Sequence, residues 1–135
     1  MLDRIVLNGL GITFDSSTGF TLPDGSMRSP DASWLSLVKW QQLTDAEKER
    51  FALVCLAFVV ELKSKGDRLI DLQRKMENWI ANGAQLGWLI NPEEETVYVY
   101  QPDRHVRQHQ GFATELSADP VLPGFSLNLS KLRLP

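Results

Sequence analysis

The sequence has little that would tie it to a membrane or to a disulfide framework. Its one cysteine, Cys55, cannot form an intramolecular disulfide, and it lies in an apolar run where we expect a buried thiol. That run, Phe51 to Val60, is ten residues long, about half of what a membrane-spanning helix requires. No secretory signal opens the chain. We therefore expect a cytoplasmic protein with no membrane segment.

An excess of positive charge is also missing. Fourteen Lys and Arg against 17 Asp and Glu give a net charge of −3, which excludes a protein that binds nucleic acid over its whole surface. Any contact with phosphate must then be local. The 135 residues are 43% hydrophobic, enough for one core and too much for a disordered chain. We expect a single domain over residues 1–135.

The first third of the chain has the pattern of short strands and tight turns. Ile5–Leu7 and Ile12–Phe14 flank Asn8-Gly9, a dipeptide that suits hairpin turns because both residues tolerate positive φ. A further strand is predicted from Asp31 to Val38. Thr44 and Glu47 form a capping-box pattern that predicts a short helix from Asp45 to about Phe51.

The middle of the chain predicts a strand, a helix and a second strand. Val54–Val60 is almost wholly apolar, Asp67–Ala81 has an amphipathic stripe, and Leu86–Ile90 is apolar again. A crossover of about 20 residues implies a parallel, right-handed pair of strands. From Val97 onward the alternation favours antiparallel strands at one edge of the sheet. The predicted fold class is α/β with a mixed sheet.

Three charged residues in this arrangement point to chemistry. Glu61 and Lys63 are two apart at the end of the apolar strand and would share a face, at the edge where α/β sheets usually bind ligands. Asp31 begins another predicted strand. Asp31 and Glu61, with the Leu62 carbonyl, offer the hard oxygen ligands that Mg²⁺ prefers. Lys63 could then orient an attacking water or neutralise charge on a phosphate, so the set predicts phosphodiester cleavage.

An ordered series of motifs is similar to the Uma2 family, also called DUF820, whose members are restriction-endonuclease-like. The resemblance runs from about residue 12 to the end of the chain. Its motifs are Ser16–Gly25 (SSTGFTLPDG), Arg28–Trp34 (RSPDASW), Phe58–Ser64 (FVVELKS), Lys75-Met76, Asn82-Gly83, Leu86–Pro92 (LGWLINP) and Val121–Phe125 (VLPGF).

The resemblance implies the PD-(D/E)xK nuclease fold. Asp31, Glu61 and Lys63 fall on the matching motif positions, which implies catalytic roles for all three, a metal held by Asp31 and Glu61, and Mg²⁺ as cofactor, with Mn²⁺ as its substitute. The resemblance implies this reaction class, and our hypothesis is that the partner is DNA, which would touch a small basic rim at Lys63, Lys65 and Arg68.

Members of the family usually carry a further N-terminal segment with a helix that packs on the sheet. This chain starts at Met1 without room for it, so we expect an N-terminally short domain in which the first helix of the core is missing. An apolar face left open in this way favours a homodimer.

Other residues and functions stay open at this stage. Lys75 and Gln73 follow the Glu61 strand on the predicted helix, where related nucleases place an auxiliary polar residue, and Asp24 could join the metal site. Each also has a purely structural explanation: Lys75 and Gln73 would lie on a solvated helix face, and Asp24 would form a turn. The alternatives to a nuclease are an inactive binding or assembly module that keeps the fold, and carboxylate-based hydrolysis of another substrate such as a glycoside.

Overall fold

The computed structural model describes residues 57–122 and 124–134 in full. In the first third it describes the backbone of strands 5–7, 11–15, 20–21, 27–28 and 32–36, and it also describes residues 38, 41–42 and 44–46. Within this part of the chain, no helix has the length and apolar character needed to cross a lipid bilayer.

The described residues build a mixed sheet with one helix packed on it. The strands are β1 (Ile5–Leu7), β2 (Gly11–Asp15), β3 (Phe20–Thr21), β4 (Met27–Arg28), β5 (Ala32–Ser36), β6 (Phe58–Leu62), β7 (Leu86–Asn91), β8 (Thr96–Tyr100), β9 (Arg107–Gln110), β10 (Glu115–Ser117) and β11 (Ser126–Asn128). The helix α1 spans Leu69–Ala81, and a 3₁₀ turn spans Leu129–Leu132. Seven strands form the main sheet in the order β1-β2-β5-β6-β7-β8-β9.

The parallel pair predicted from the sequence is the middle of this sheet. β6 and β7 are parallel with α1 as the crossover, and every other neighbouring pair in the main sheet is antiparallel. All six residues of β7 are buried, because side chains of alternating direction meet α1 on one face and the C-terminal segment on the other. β6 ends later than the apolar pattern predicts, at Leu62, and the Lys63 N–H continues the ladder to the Ile90 carbonyl at 2.8 Å.

Helix α1 begins two residues later than predicted and ends where predicted. Asp67 lies in the turn before it, and Asp71 in its first turn is favourably placed against the helix dipole. At the other end the Asn82 and Gly83 N–H groups donate to the Asn78 and Ile80 carbonyls. Gly83 has φ +106°, a left-handed conformation that favours glycine at a helix end.

Close packing of α1 on the sheet depends on Gly87. A Cβ at this position would lie 2.5 Å from Met76 Cε and 3.4 Å from Val59 Cγ2. Val59, Gly87 and Leu89 therefore form the floor of the face that α1 covers, and Met76 and Trp79 are buried against it. We call this the helix face of the sheet.

The opposite face packs on the C-terminal segment, and we call it the apolar face. Phe58 and Trp88 meet edge to face with ring centroids 4.9 Å apart, and Phe125 lies 6.3 and 6.5 Å from them. Side chains from the last 25 residues complete this core: Phe112, Leu116, Ala118, Val121, Leu122, Leu127, Leu129 and Leu132. The β10–β11 hairpin brings them there.

The first third forms antiparallel strands, as predicted. β1 pairs with β2 and β2 with β5, which confirms antiparallel strands on either side of Asn8-Gly9 and a strand after Asp31. That strand spans Ala32–Ser36, and its predicted extension to Val38 is wrong because residue 38 is helical. Of the helix predicted from Asp45 to Phe51, residues 45–46 are helical and the remainder lies outside the described residues.

Candidate active site

Glu61 is a buried carboxylate on the helix face, one residue before the end of β6. Its exposure is 2%, a large cost for a charged group unless it is paired and hydrogen-bonded. Lys75 Nζ donates to Glu61 Oε1 at 3.1 Å, and Trp79 Nε1 donates to Oε2 at 3.2 Å. Both donors come from α1, four residues apart, so one helical turn presents them to the same strand. Each carboxylate oxygen is thereby contacted from the helix.

Lys63 lies just beyond β6, at the carboxyl end of the parallel pair. Its Nζ donates to Glu93 Oε1 at 3.0 Å and to the Ser64 carbonyl at 3.3 Å. The Lys63 side chain is 11% exposed and that of Glu93 is 44% exposed. Glu93 is close because it follows β7, whose carboxyl end meets that of β6 at one edge of the sheet. The amine is therefore held at this edge by a carboxylate that solvent reaches.

A tight turn fixes the chain between Lys63 and α1. The Ser64 N–H and hydroxyl both donate to Asp67 Oδ2, at 2.9 and 2.8 Å. The backbone hydrogen bond from Ser64, with the hydroxyl bond second, lowers the pKa of Asp67 below its ordinary value of 3.8. The turn sends the chain from β6 directly into the helix that carries Lys75 and Trp79.

A pocket of about 520 Å³ opens at the same edge. Lys63, Lys65 and Glu93 line it together with apolar groups that include Leu62 and Leu134. Lys65 is exposed. The edge therefore offers a concave surface with cationic groups next to the candidate site, large enough to accept part of a ligand.

Of the remaining residues predicted for the site, two lie outside the described residues and two lie on α1. Asp31 and Asp24 lie outside the described residues. The strand that follows Asp31 is described, and its first residue, Ala32, pairs with Val60, the residue before Glu61. Lys75 contacts Glu61, as given above, and Gln73 lies half-buried on the same helix. The roles assigned to these residues stay predictions.

Two contacts of the site were missed from the sequence. Trp79 lies on the apolar stripe of α1 and is buried as a core residue would be, but its ring nitrogen donates to the Glu61 carboxylate. Its spacing of four from Lys75 is the signal that could have found it, given that Lys75 was already a candidate. Glu93 is the first of three consecutive glutamates, a pattern typical of a solvated turn. The parallel strand pair is the signal that places it near Lys63.

The carboxylate oxygens of Glu61 are of the type that Mg²⁺ prefers as ligands. Mg²⁺ is usually held by one or two carboxylates with several waters retained, and Glu61 is such a carboxylate. Within residues 57–122 and 124–134 and the other described positions, no three His, Cys, Asp or Glu side chains cluster as a ready metal site. A second protein carboxylate would have to come from elsewhere in the chain, and Asp31 is the candidate.

Comparisons with known proteins agree with this architecture. The Uma2 family model, described as "Putative restriction endonuclease", matches residues 1–130. A crystal structure of "a putative nuclease belonging to DUF820" from Anabaena variabilis ATCC 29413 has a TM-score of 0.72 at 18% sequence identity, covering 91% of this chain and 68% of that chain. No curated protein matches. At this identity the likeness shows the fold, and the predicted mixed α/β class is confirmed.

Proposed function

The chain belongs to the Uma2 family, and from that membership we propose that it is a metal-dependent endonuclease that hydrolyses DNA phosphodiester bonds. The observation that supports this most is Glu61. An apolar side chain would pack between β6 and α1 at lower cost than a buried carboxylate with its two donors. A carboxylate kept at the carboxyl end of a central strand, in a nuclease-like fold, is best explained by chemistry.

The proposed cofactor is Mg²⁺, or Mn²⁺ in its place, held by Glu61 and Asp31. The strand register supports this pair, because Ala32 and Val60, their neighbours in sequence, lie opposite each other. A divalent ion bound there would polarise the scissile phosphate and acidify an attacking water. Lys75, whose amine donates to Glu61 Oε1 at 3.1 Å, would offset the charge of this carboxylate while no ion is bound.

The proposed role of Lys63 is to bind the phosphate and stabilise the negative charge that develops on it. Its amine already lies at the edge of the sheet, bonded to a carboxylate that solvent reaches. A DNA phosphate can replace Glu93 as the partner of this amine without exposing a buried charge. Lys65 and Arg68, both exposed, extend the cationic rim for neighbouring phosphates.

Cleavage of supercoiled plasmid DNA by purified protein tests the proposal. With Mg²⁺ or Mn²⁺ we expect nicked or linear product, and chelation should abolish it. Glu61→Gln and Lys63→Ala should lower the rate by roughly 100-fold or more. Lys131→Ala removes an exposed lysine of the 3₁₀ turn and should cleave like the parent. Absence of cleavage with both metals, or a Lys63→Ala variant as active as the parent, would contradict the mechanism.

A second function is favoured by the ion pair of Lys63. The amine assigned to catalysis is bonded to Glu93, as expected if the chain keeps the nuclease fold as an inactive binding or assembly module. Calorimetry with Mn²⁺ separates the two functions. The nuclease requires metal binding that is lost in Glu61→Gln, whereas the inactive module requires none.

The homodimer expected from the sequence is part of the same proposal. Leu62 and Leu134 are 39% and 58% exposed and line one pocket, so an apolar contact is available beside the candidate site. Light scattering at micromolar concentration measures the mass directly. A monomer would remove this part of the proposal and leave the cleavage mechanism untouched.

A further inference from the structure

The indole of Trp79 is bonded to the carboxylate on which the proposed chemistry depends. Trp79 is 1% exposed, and its Nε1 lies 3.2 Å from Glu61 Oε2. Lys75 Nζ lies 3.1 Å from the other oxygen. The two donors approach the carboxylate from the same helix, so the plane of the carboxylate is constrained at both of its oxygens.

The two donors differ in what they do to the charge. Lys75 carries a positive charge, so its contact offsets that of Glu61. The indole N–H is a neutral group that only donates, so it fixes the orientation of the oxygen and leaves the negative charge available to a cation. A buried Trp needs some acceptor for its N–H, and a backbone carbonyl would meet that need. The acceptor of the Trp79 N–H is instead a candidate metal ligand. Packing of the ring alone does not require that choice.

Hydrogen bonds of this kind control metal binding in proteins. Ligating carboxylates are themselves held by outer hydrogen bonds, and loss of such a partner typically lowers metal affinity by about 10- to 100-fold. We propose that Trp79 is a positioning residue, which orients the Glu61 carboxylate for a divalent metal ion. This inference rests on the proposed function, because it needs Glu61 to be a metal ligand.

The chain offers a matched pair of variants for the test. Trp79→Phe keeps an aromatic ring and removes the N–H. Trp88→Phe makes the same change at a second tryptophan that is 1% exposed and that packs on the apolar face against Phe58 and Phe125. Both lose packing, but only the first loses the bond to Glu61. Calorimetric titration with Mn²⁺ should therefore give a dissociation constant about 10-fold higher in Trp79→Phe and unchanged in Trp88→Phe.

Nuclear magnetic resonance of the indole N–H groups tests the bond without any change at Trp79. Relative to the parent protein, the Glu61→Gln variant should have one indole N–H resonance moved upfield, because an amide oxygen is a weaker acceptor than a carboxylate. That resonance should be the one missing from Trp79→Phe. The shift in Glu61→Gln can be measured even if Trp79→Phe fails to fold, and an unmoved set of indole resonances would overturn the inference.

The outcomes separate the inference from the function beneath it. Parent protein that binds Mn²⁺, with Trp79→Phe binding equally tightly, overturns the role of Trp79 and leaves the nuclease proposal standing. Parent protein that binds no Mn²⁺ overturns the proposed function and the inference together. Equal weakening in Trp79→Phe and Trp88→Phe also overturns the inference, because it assigns the effect to packing.

Discussion

Among the side chains that the structure describes, one tryptophan is buried on each face of the central sheet, and the two rings have different surroundings. Trp88 on the apolar face meets Phe58 and Phe125, whereas Trp79 on the helix face donates its N–H to the carboxylate of Glu61. Both are 1% exposed, so burial alone does not distinguish them. One face therefore supplies stability through buried apolar area, whereas the other also holds a buried charge. Stability and metal affinity should therefore respond to different substitutions.

Removal of the ring of Trp88 should have the largest effect on stability. Trp88→Ala empties the centre of the apolar face, and loss of a large buried aromatic costs about 4 kcal/mol. Urea unfolding followed by circular dichroism measures the change. In protein that remains folded, the affinity for Mn²⁺ should equal that of the parent. A changed affinity would contradict the independence of the two faces.

Loss of the cation beside Glu61 should have the next largest effect. Lys75→Met removes this cation from the buried carboxylate, which costs about 3 kcal/mol of unfolding free energy, the lower end for such pairs because the Lys75 side chain is 26% exposed. The cost should fall below about 1 kcal/mol in a Glu61→Gln background, since no buried charge remains. An equal cost in both backgrounds would mean that Lys75 acts through packing.

A methyl group added at Gly87 tests the closeness of the helix face. In Gly87→Ala the new Cβ would meet Met76 Cε at 2.5 Å, so the Met76 side chain must shift, at a cost of about 1 kcal/mol. The cost should shrink when Met76→Ala is combined with it. Unfolding in urea gives both values. Additive changes in unfolding free energy for Gly87→Ala and Met76→Ala would contradict the contact.

The smallest effect is expected at the turn before the helix. The pKa of Asp67 is lowered by the Ser64 N–H and hydroxyl, so its stabilising contribution is present above pH 3.8 and is lost as the pH falls through the lower folded value. Asp67→Asn should cost about 0.5 kcal/mol at neutral pH, a small value because the group is exposed. The difference from the parent should shrink as the pH falls below 3.8 and through the lower folded pKa. A pH-independent difference would assign the effect to shape.

The sequence predicted the parts of the fold that periodicity controls. Two apolar runs separated by an amphipathic helix led to the parallel pair β6 and β7, and Asn82-Gly83 marked the end of α1. The helix start was set two residues early because Asp67 resembles a first helical residue, whereas its carboxylate closes the turn with Ser64. The β10–β11 hairpin was missed, since its strands are three residues long and alternate too briefly to be recognised.

The site, like the fold, could be predicted only in part. Spacing along β6 indicated Glu61 and Lys63, and the helix position indicated Lys75, because charged residues stand out in an apolar pattern. Trp79 did not stand out. An aromatic residue on the apolar stripe of a helix is normally core, and only the three-dimensional arrangement shows which acceptor its N–H meets. Glu93 needed the pairing of β7 with β6, which brings together residues 30 apart in the chain.

The local nature of the β6–α1–β7 unit has a consequence for folding. The contacts that hold Glu61 join residues 14 and 18 apart in the chain, and loops of that size close at a modest entropic cost. Contacts at short separation form early and quickly relative to long-range strand pairing. We therefore expect Glu61, Lys75 and Trp79 to meet in one local event, before β1, β2 and β5 join the sheet. The Glu61 carboxylate gains these hydrogen-bond donors as it leaves water, so it is not buried before they are in place.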